Sequence, residues 1–293
     1  YSGVGSMPSR CMLIVLDGLG DRAYTEFKHR TPLQAARTPF LDRLAELGAN
    51  GSFHASLQGQ ALPSESAHLA IFGYTPESFP GRGPLEALGA GIDLAMSDVA
   101  VLSHFASLEQ NSQGLLLKNG KLSVGRDEIE QLVSLASDFG HGGVRVCFHH
   151  THKAYGIVTL HGEVAPFFTD TDPVIENMLL IEPLPFEGYE QDVAVGNGVA
   201  ALKSYLLHIY GALEGHPVNL VRRKAGRDSI DGLVTQRAGR LKPVRPFRQR
   251  YGLNGLSMAS GLVYQGIGRF IGMDFSKVTD SADPGGDLAW RIG

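Results

Sequence analysis

The sequence predicts an α/β fold with largely parallel strands. Two observations carry this: short apolar runs are bounded by glycine, and amphipathic segments with helical spacing alternate with them. All-helix and all-strand folds fit that alternation poorly. The 293 residues suffice for one large or two ordinary domains, each with its own core. With 26 basic and 30 acidic residues the formal net charge is −4, which argues against a general grip on nucleic acid or anionic membranes. No apolar run approaches the roughly 18 to 20 residues of a membrane helix, and the start YSGVGSMPSR lacks the regions of a secretory signal. Tyr1–Ser6 reads as a short lead before Met7. Cys11 and Cys147 sit in strand-like runs without metal-ligand spacing, so they read as buried, reduced thiols of a cytoplasmic protein.

The first predicted strand is Met12–Leu16, ending at Asp17. A helix follows over TPLQAARTPFLDRLAELG, where Leu41, Leu44, Ala45 and Leu47 keep helical spacing and Gly48 supplies the stop. Phe53 lies in a short candidate strand. LPSESAHLAIFGY offers Ser64 or Ser66 as an N-cap, a short apolar helix and Gly73 as its stop. From about Asp98 a second α/β domain is expected. Its strands are VAVLSHFASLE, GLLLKNGKL, VRVCFHHTH and AYGIVTLHG, and its helices RDEIEQLVSLA and GVAALKSYLLHIYGALEG. The arginine-rich stretch RRKAGRDSIDGLVTQRAGRLKPVRPFRQR reads as a linker or a ligand-facing segment. GLSMASGLVYQGIGRFIGMDF then gives a strand and a helix with small residues on one face.

An acid directly after an apolar strand lies where open parallel sheets place their ligand crevices. Asp17 could hold a divalent cation through hard oxygens, or it could cap the next turn. A serine at the first turn of a helix faces unpaired N–H groups and the positive end of the dipole, which stabilises a bound phosphate; it could also be an ordinary N-cap. Arg82, between two glycines, could offer its fork to phosphate or carboxylate or pair with Glu86. The run Arg237, Arg240, Lys242, Arg245, Arg248 and Arg250 has no intervening acid and could clamp an anion, although such runs are more often solvated faces. His149, His150 and His152 lack a partner at diagnostic metal spacing. GLGDR and GIGRFIG fail the full dinucleotide pattern, and no GxxxxGK[ST] occurs.

Taken in order, VLDGLGDR, TPLQAARTPFLDRLAELG, PSESAHLAIFGY, GRGPLEALGAGIDL, TDTDP, HPVN and LVYQGIGRFIGMD resemble the archaeal-type cofactor-independent phosphoglycerate mutases, from about Met12 to the last residue. The resemblance implies an alkaline-phosphatase-like core with a largely parallel sheet, interrupted by an inserted α/β domain. Its expected boundaries are 7–96 for the first part of the core, 97–240 for the inserted substrate cap and 241–293 for an incomplete second part of the core. It further implies a phosphoserine on Ser64, with Ser66 in reserve, and a metal-binding role for Asp17 and Ser64. Two divalent ions (Mn, Zn or Mg) are expected in the complete family enzyme, and the substrate is a small phosphorylated metabolite bound through Arg82, Asp172 and Arg237.

The chain departs from the family's pattern at several places. Pro63 and Glu65 flank Ser64 where the family has glycine and aspartate. Leu102, His104, Tyr155 and Gln236 stand at positions where the family has an arginine, an asparagine and two further arginines, and Arg237 replaces a glycine. These changes favour a related phosphatase or phosphotransferase acting on another metabolite. The family's remaining metal ligands come from about a hundred further residues, which implies either a fragment of a longer enzyme or a non-catalytic relative.

Overall fold

The structure, a computed structural model, describes residues 10–57, 59, 60 and 62–278. Met7, Tyr1–Ser6 and the closing DLAWRIG lie outside them. Two compact units divide the chain at Ala67/His68.

In the first unit, Tyr24 and Arg30 form an isolated bridge, and helix α1 (Pro32–Ala35) starts at a reciprocal cap. Gln34 N–H donates to Thr31 Oγ1 at 3.2 Å while Thr31 N–H donates to Gln34 Oε1 at 2.9 Å. Helix α2 is Pro39–Leu47. The sequence predicted one helix here, and the break has a simple cause: Pro39 has no N–H and disfavours the helical region at the residue before it, so Thr38 sits at φ −124°, ψ 55° and the helix restarts with Pro39 in its first turn. Met12–Leu16 and Phe53 form no strand. A strand buried on both faces needs neighbours along its edges and cover above and below. The described residues of this unit offer no strand to pair with, and Met12, Ile14 and Leu16 are more than half exposed. Cys11 is likewise exposed, contrary to expectation, whereas Cys147 is buried.

The unit boundary falls within helix α3 (Ser64–Ile71). Ser64 is its first helical residue rather than its cap, since Ala67 N–H donates to Pro63 O at 3.0 Å. The predicted stop holds: Gly73 takes φ +75°, and Tyr74 N–H closes back on Leu69 O at 2.9 Å.

The second unit continues with helix α4 (Arg82–Ala90), strands β1 (Val99–Asn111) and β2 (Gly114–Asn119), helix α5 (Arg126–Ala136) and strands β3 (Asp138–His141), β4 (Val144–His152) and β5 (Tyr155–His161). Helices α6 (Val193–Glu214) and α7 (Pro217–Lys224), strand β6 (Gly232–Arg240), helix α8 (Phe247–Tyr251), strand β7 (Leu256–Ala259), helix α9 (Leu262–Phe270) and strand β8 (Asp274–Lys277) complete it. The six-stranded sheet runs β2-β1-β5-β4-β3 with β6 on the other edge of β1, and every pairing in it is antiparallel. Parallel pairing is confined, among the described residues, to β7 with β8. The large sheet lies within residues 97–240, where an inserted α/β domain is expected, and the parallel pair lies within 241–293. The strands of the large sheet follow one another through short turns such as His152–Tyr155, which antiparallel pairing permits and parallel pairing does not.

β1 is buried along most of its length because both faces of the sheet are covered. One face, with Val99, Val101, Phe105, Val158 and Leu160, packs in the main core with Leu132 of α5 and Leu202, Tyr205 and Ile209 of α6. The other carries Ala100, Leu102 and Ile157 against Ala87 of α4. α4 can approach so closely because Gly83 has no side chain: a Cβ there would lie 2.1 Å from Ala100 O. The small face predicted on α9 has the same purpose, since a Cβ on Gly266 would lie 1.7 Å from Leu85 O of α4. The predicted linker is not one. Its centre is β6, five of whose residues (Gly232, Leu233, Val234, Thr235 and Gly239) are buried along β1. Among the described residues, no helix is long and apolar enough to cross a membrane.

Candidate functional site

Where β1, β5 and β6 run side by side, Leu102 stands opposite both Ile157 and Gln236, and His104 stands opposite Tyr155. Leu102, His104, Tyr155 and Gln236 line a pocket of about 240 Å³ together with Leu117, Gly120 and Lys121 at the end of β2. The loop residues Asp172, Val174 and Glu176 close it. That loop is fastened to β6: Thr171 N–H and Asp172 N–H both donate to Thr235 O, at 2.8 and 3.2 Å, and Thr235 N–H donates to Thr171 Oγ1 at 2.8 Å.

Asp172, 5% exposed, is the hub. Its Oδ1 accepts Val174 N–H at 2.7 Å, and its Oδ2 accepts the Gln236 side-chain amide. His104 Nε2 stands 3.8 Å from the same oxygen, and its ring lies 5.3 Å from that of Tyr155. Burial pushes the His104 imidazole below its ordinary range, and the opposing pull of Asp172 does not offset it. Val174 is held at φ +66°, a conformation that costs a β-branched residue about 1–3 kcal/mol and that the Asp172 bond helps to maintain.

Beside the pocket, β6 carries a bulge: Ala100 pairs with Gly239 and Leu102 with Gln236, so Arg237 and Ala238 together face Val101. Arg237 takes φ +56° and its N–H donates to Asp170 Oδ1 at 2.6 Å. Burial raises the Asp170 carboxyl above its usual range, more than the Arg237 contacts lower it. The Arg237 side chain is exposed and does not line the pocket. Arg82 opens α4 and its Nε donates to Glu86 Oε1 at 2.7 Å.

Asp17 occupies a turn with Gly18, whose φ is +71°. Ser64 and Asp17 both belong to the first unit and are exposed there. Of the residues singled out in the sequence, the pocket gathers Asp172 with Leu102, His104, Tyr155 and Gln236. It leaves out Arg82 and Arg237. Lys121, Val174 and Glu176 were missed. Lys121 sits in the GKL turn after β2, where no periodicity marks it, and the other two lie on a loop fixed by hydrogen bonds that no local pattern encodes.

His149 and His161 share Thr159 Oγ1, at 3.0 and 2.8 Å, and His161 Nδ1 lies 3.1 Å from Asp98 Oδ1. His152 stacks on Tyr155. Among the described residues, no group of three or more His, Cys, Asp or Glu side chains could hold a metal ion. In the basic run, Arg250 lies over the Tyr74 ring at 5.0 Å and Lys242 Nζ donates to Glu77 O at 3.0 Å, so both serve packing.

An α/β chain with a pocket over the β1, β5 and β6 strands of an antiparallel sheet defines a broad class, and the comparisons narrow it. The family model of 2,3-bisphosphoglycerate-independent phosphoglycerate mutase matches residues 45–219. A 2,3-bisphosphoglycerate-independent phosphoglycerate mutase 2 of Methanocaldococcus jannaschii is 34% identical over 95% of this chain and 67% of its own length. The corresponding mutase of Methanopyrus kandleri is 33% identical over 92% of this chain and 64% of its own. The structure of a cofactor-independent phosphoglycerate mutase from Thermoplasma acidophilum superposes with a TM-score of 0.59 at 26% identity, covering 94% of this chain and 72% of that one. The chain belongs to the 2,3-bisphosphoglycerate-independent phosphoglycerate mutase family. It spans about two thirds of the length of the curated relatives it matches.

Proposed function

We propose that the complete protein carries out metal-dependent phosphoryl transfer through a phosphoserine on Ser64, interconverting 2- and 3-phosphoglycerate in glycolysis and gluconeogenesis in the cytoplasm. The observation that carries this reading is the family match over residues 45–219. Ser64 supports it as the first residue of an eight-residue helix, where the positive end of the dipole stabilises an attached phosphate. Asp172 and the arginines Arg82 and Arg237 would hold substrate. Residues 97–240 would act as a cap that keeps water from the phosphoserine, so that phosphate returns to the sugar acid.

Asp17 and Ser64 have the hard-oxygen chemistry that divalent Mn, Zn or Mg accepts, but two donors fall short of a complete coordination shell. The described residues do not by themselves fit a two-metal centre. A two-metal centre therefore requires further donors.

A second reading, a phosphatase or phosphotransferase acting on another small phosphorylated metabolite, is favoured by the pocket, whose lining among the described residues offers one cation, Lys121, beside Asp172 and Glu176. One assay separates the two. With 3-phosphoglycerate and manganese, the mutase reading expects 2-phosphoglycerate, and Ser64→Ala should lower kcat about a thousandfold or more and remove the phosphoserine seen by mass spectrometry. Phosphate release without 2-phosphoglycerate eliminates the mutase; label on Ser66 would overturn the assignment to Ser64.

A further inference from the structure

We infer that the outer edge of β3 is a self-association surface: two copies of this chain pair β3 against β3 about a two-fold axis, with Arg145 of each copy facing Asp138 of the other. β3 ends the large sheet, and among the described residues only β4 pairs with it. Asp138, Gly140 and His141 are exposed.

The backbone sets the register. Phe148 N–H donates to Ser137 O at 3.4 Å, which makes Ser137 and Phe148 a bonded pair at the start of the β3–β4 ladder. Bonded and non-bonded pairs alternate along antiparallel strands, and Asp138 stands opposite Cys147, Phe139 opposite Val146, Gly140 opposite Arg145 and His141 opposite Val144. Asp138 and Gly140 therefore direct their N–H and C=O groups away from β4. The Gly142–Gly143 turn has the same phase, since a two-residue turn with both φ positive closes on a bonded pair, here His141 and Val144. Only one two-fold antiparallel arrangement uses both outward residues of both copies: Asp138 opposite Gly140 of the second copy, Gly140 opposite its Asp138, and the two Phe139 residues on the axis. Each bonded pair then exchanges both N–H···O bonds. Setting Asp138 opposite itself opposes like charges, and setting Gly140 opposite itself runs Asp138 against the turn.

Side chains supply the complementarity. Residues directly opposite share a face, so Asp138, Gly140, Arg145 and Cys147 lie on one side of the sheet. Within one chain Arg145 Nε donates diagonally to Asp138 Oδ1 at 2.9 Å, and this bond holds the Asp138 carboxyl below its usual range. Both side chains are more than half exposed, so the pair by itself adds little stability. In the paired arrangement Arg145, Gly140 and the second copy's Asp138 stand in one row across the strands. Two strand spacings, about 10 Å, separate the ends of that row, and Gly140 leaves the path open because no atom lies within 4 Å of a Cβ built there. The two-fold axis repeats the row. On the other face Phe139, whose ring lies 5.7 Å from that of Tyr205 and 5.1 Å from that of His208, meets its counterpart. A short edge carrying an acid deters most strands; a second copy brings the guanidinium that answers it.

The test is sedimentation velocity on the complete protein over a range of concentrations, and the expected result is a concentration-dependent dimer. Asp138→Arg alone and Arg145→Asp alone should each raise the dimer dissociation constant about tenfold or more, because each sets like charges against one another in both rows. Mixed in equal amounts, the two variants should associate to within about threefold of the unsubstituted protein, since both rows of the mixed dimer then hold an arginine facing an aspartate. A merely structural role for either residue gives no such recovery. Gly140→Pro removes an N–H that points away from β4, so it should abolish the dimer while the far-ultraviolet circular dichroism is kept. A protein that stays monomeric at every concentration overturns the inference. So does a dimer that these substitutions leave unchanged, or one that the mixture fails to restore.

Discussion

Met12–Leu16 and Val99–Ala106 are both apolar runs that the sequence marks as buried strands, and they have opposite outcomes. Val99–Ala106 pairs with β5 on one side and β6 on the other and lies under α4 and α6. Met12–Leu16 forms no ladder, and its side chains are exposed. α2 repeats the contrast at helical period: Leu44 and Leu47 keep the spacing of a buried face yet are 66% and 68% exposed. An apolar pattern is thus a statement about neighbours. It becomes structure where partners exist to satisfy backbone groups and cover side chains.

Hydrogen exchange should show the largest difference between the two runs. Amides of Val99–Ala106 should exchange on the order of a thousandfold more slowly than those of Met12–Leu16, since the first need global opening and the second none. Equal protection would break the comparison. Side-chain truncation comes next: Phe105→Ala, at a fully buried position, should cost about 3–5 kcal/mol, whereas Leu44→Ala should stay within about 0.5 kcal/mol, both read from urea midpoints. Gly266→Ala sharpens the point from the other direction. Its new methyl collides with Leu85 O, so a loss of about 1–3 kcal/mol is expected, while Gly51→Ala, with no atom within 4 Å, should do little.

The smallest effect is a pH dependence confined to the sheet unit. His104, His149 and His152 are all shifted down, with burial as the largest cause in each. The unfolded chain binds their protons below about pH 6.5 while the folded chain resists. Stability should therefore be full above that pH and fall as the pH drops toward the lowered folded values. Urea midpoints between pH 7.5 and 5 that stay flat, or rise on acidification, would contradict this.

Within the sheet unit the strands of β1, β2, β4 and β5 and the helices α5 and α6 were legible, because alternation and helical spacing are local signals. β6 was not. Its arginines Arg237 and Arg240 suggested solvent, but Arg237 stands on a bulge that lifts it out of the ladder while Leu233, Val234 and Thr235 remain buried. The antiparallel direction was hidden as well, since strand composition does not record it. Of the pocket, Asp172, His104, Tyr155 and Gln236 could be picked out by comparison with the family's motifs. Lys121, Val174 and Glu176 come from a turn and a loop placed by tertiary hydrogen bonds.

The bulge at Arg237 and Ala238 has a consequence for how this family can diversify. Because the backbone ladder, not side-chain packing, brings Leu102, His104, Tyr155 and Gln236 to one spot, each can be exchanged for another residue while the hydrogen-bonded frame persists. Ligand preference can then change by point substitution on one backbone frame, with the interior of the sheet untouched.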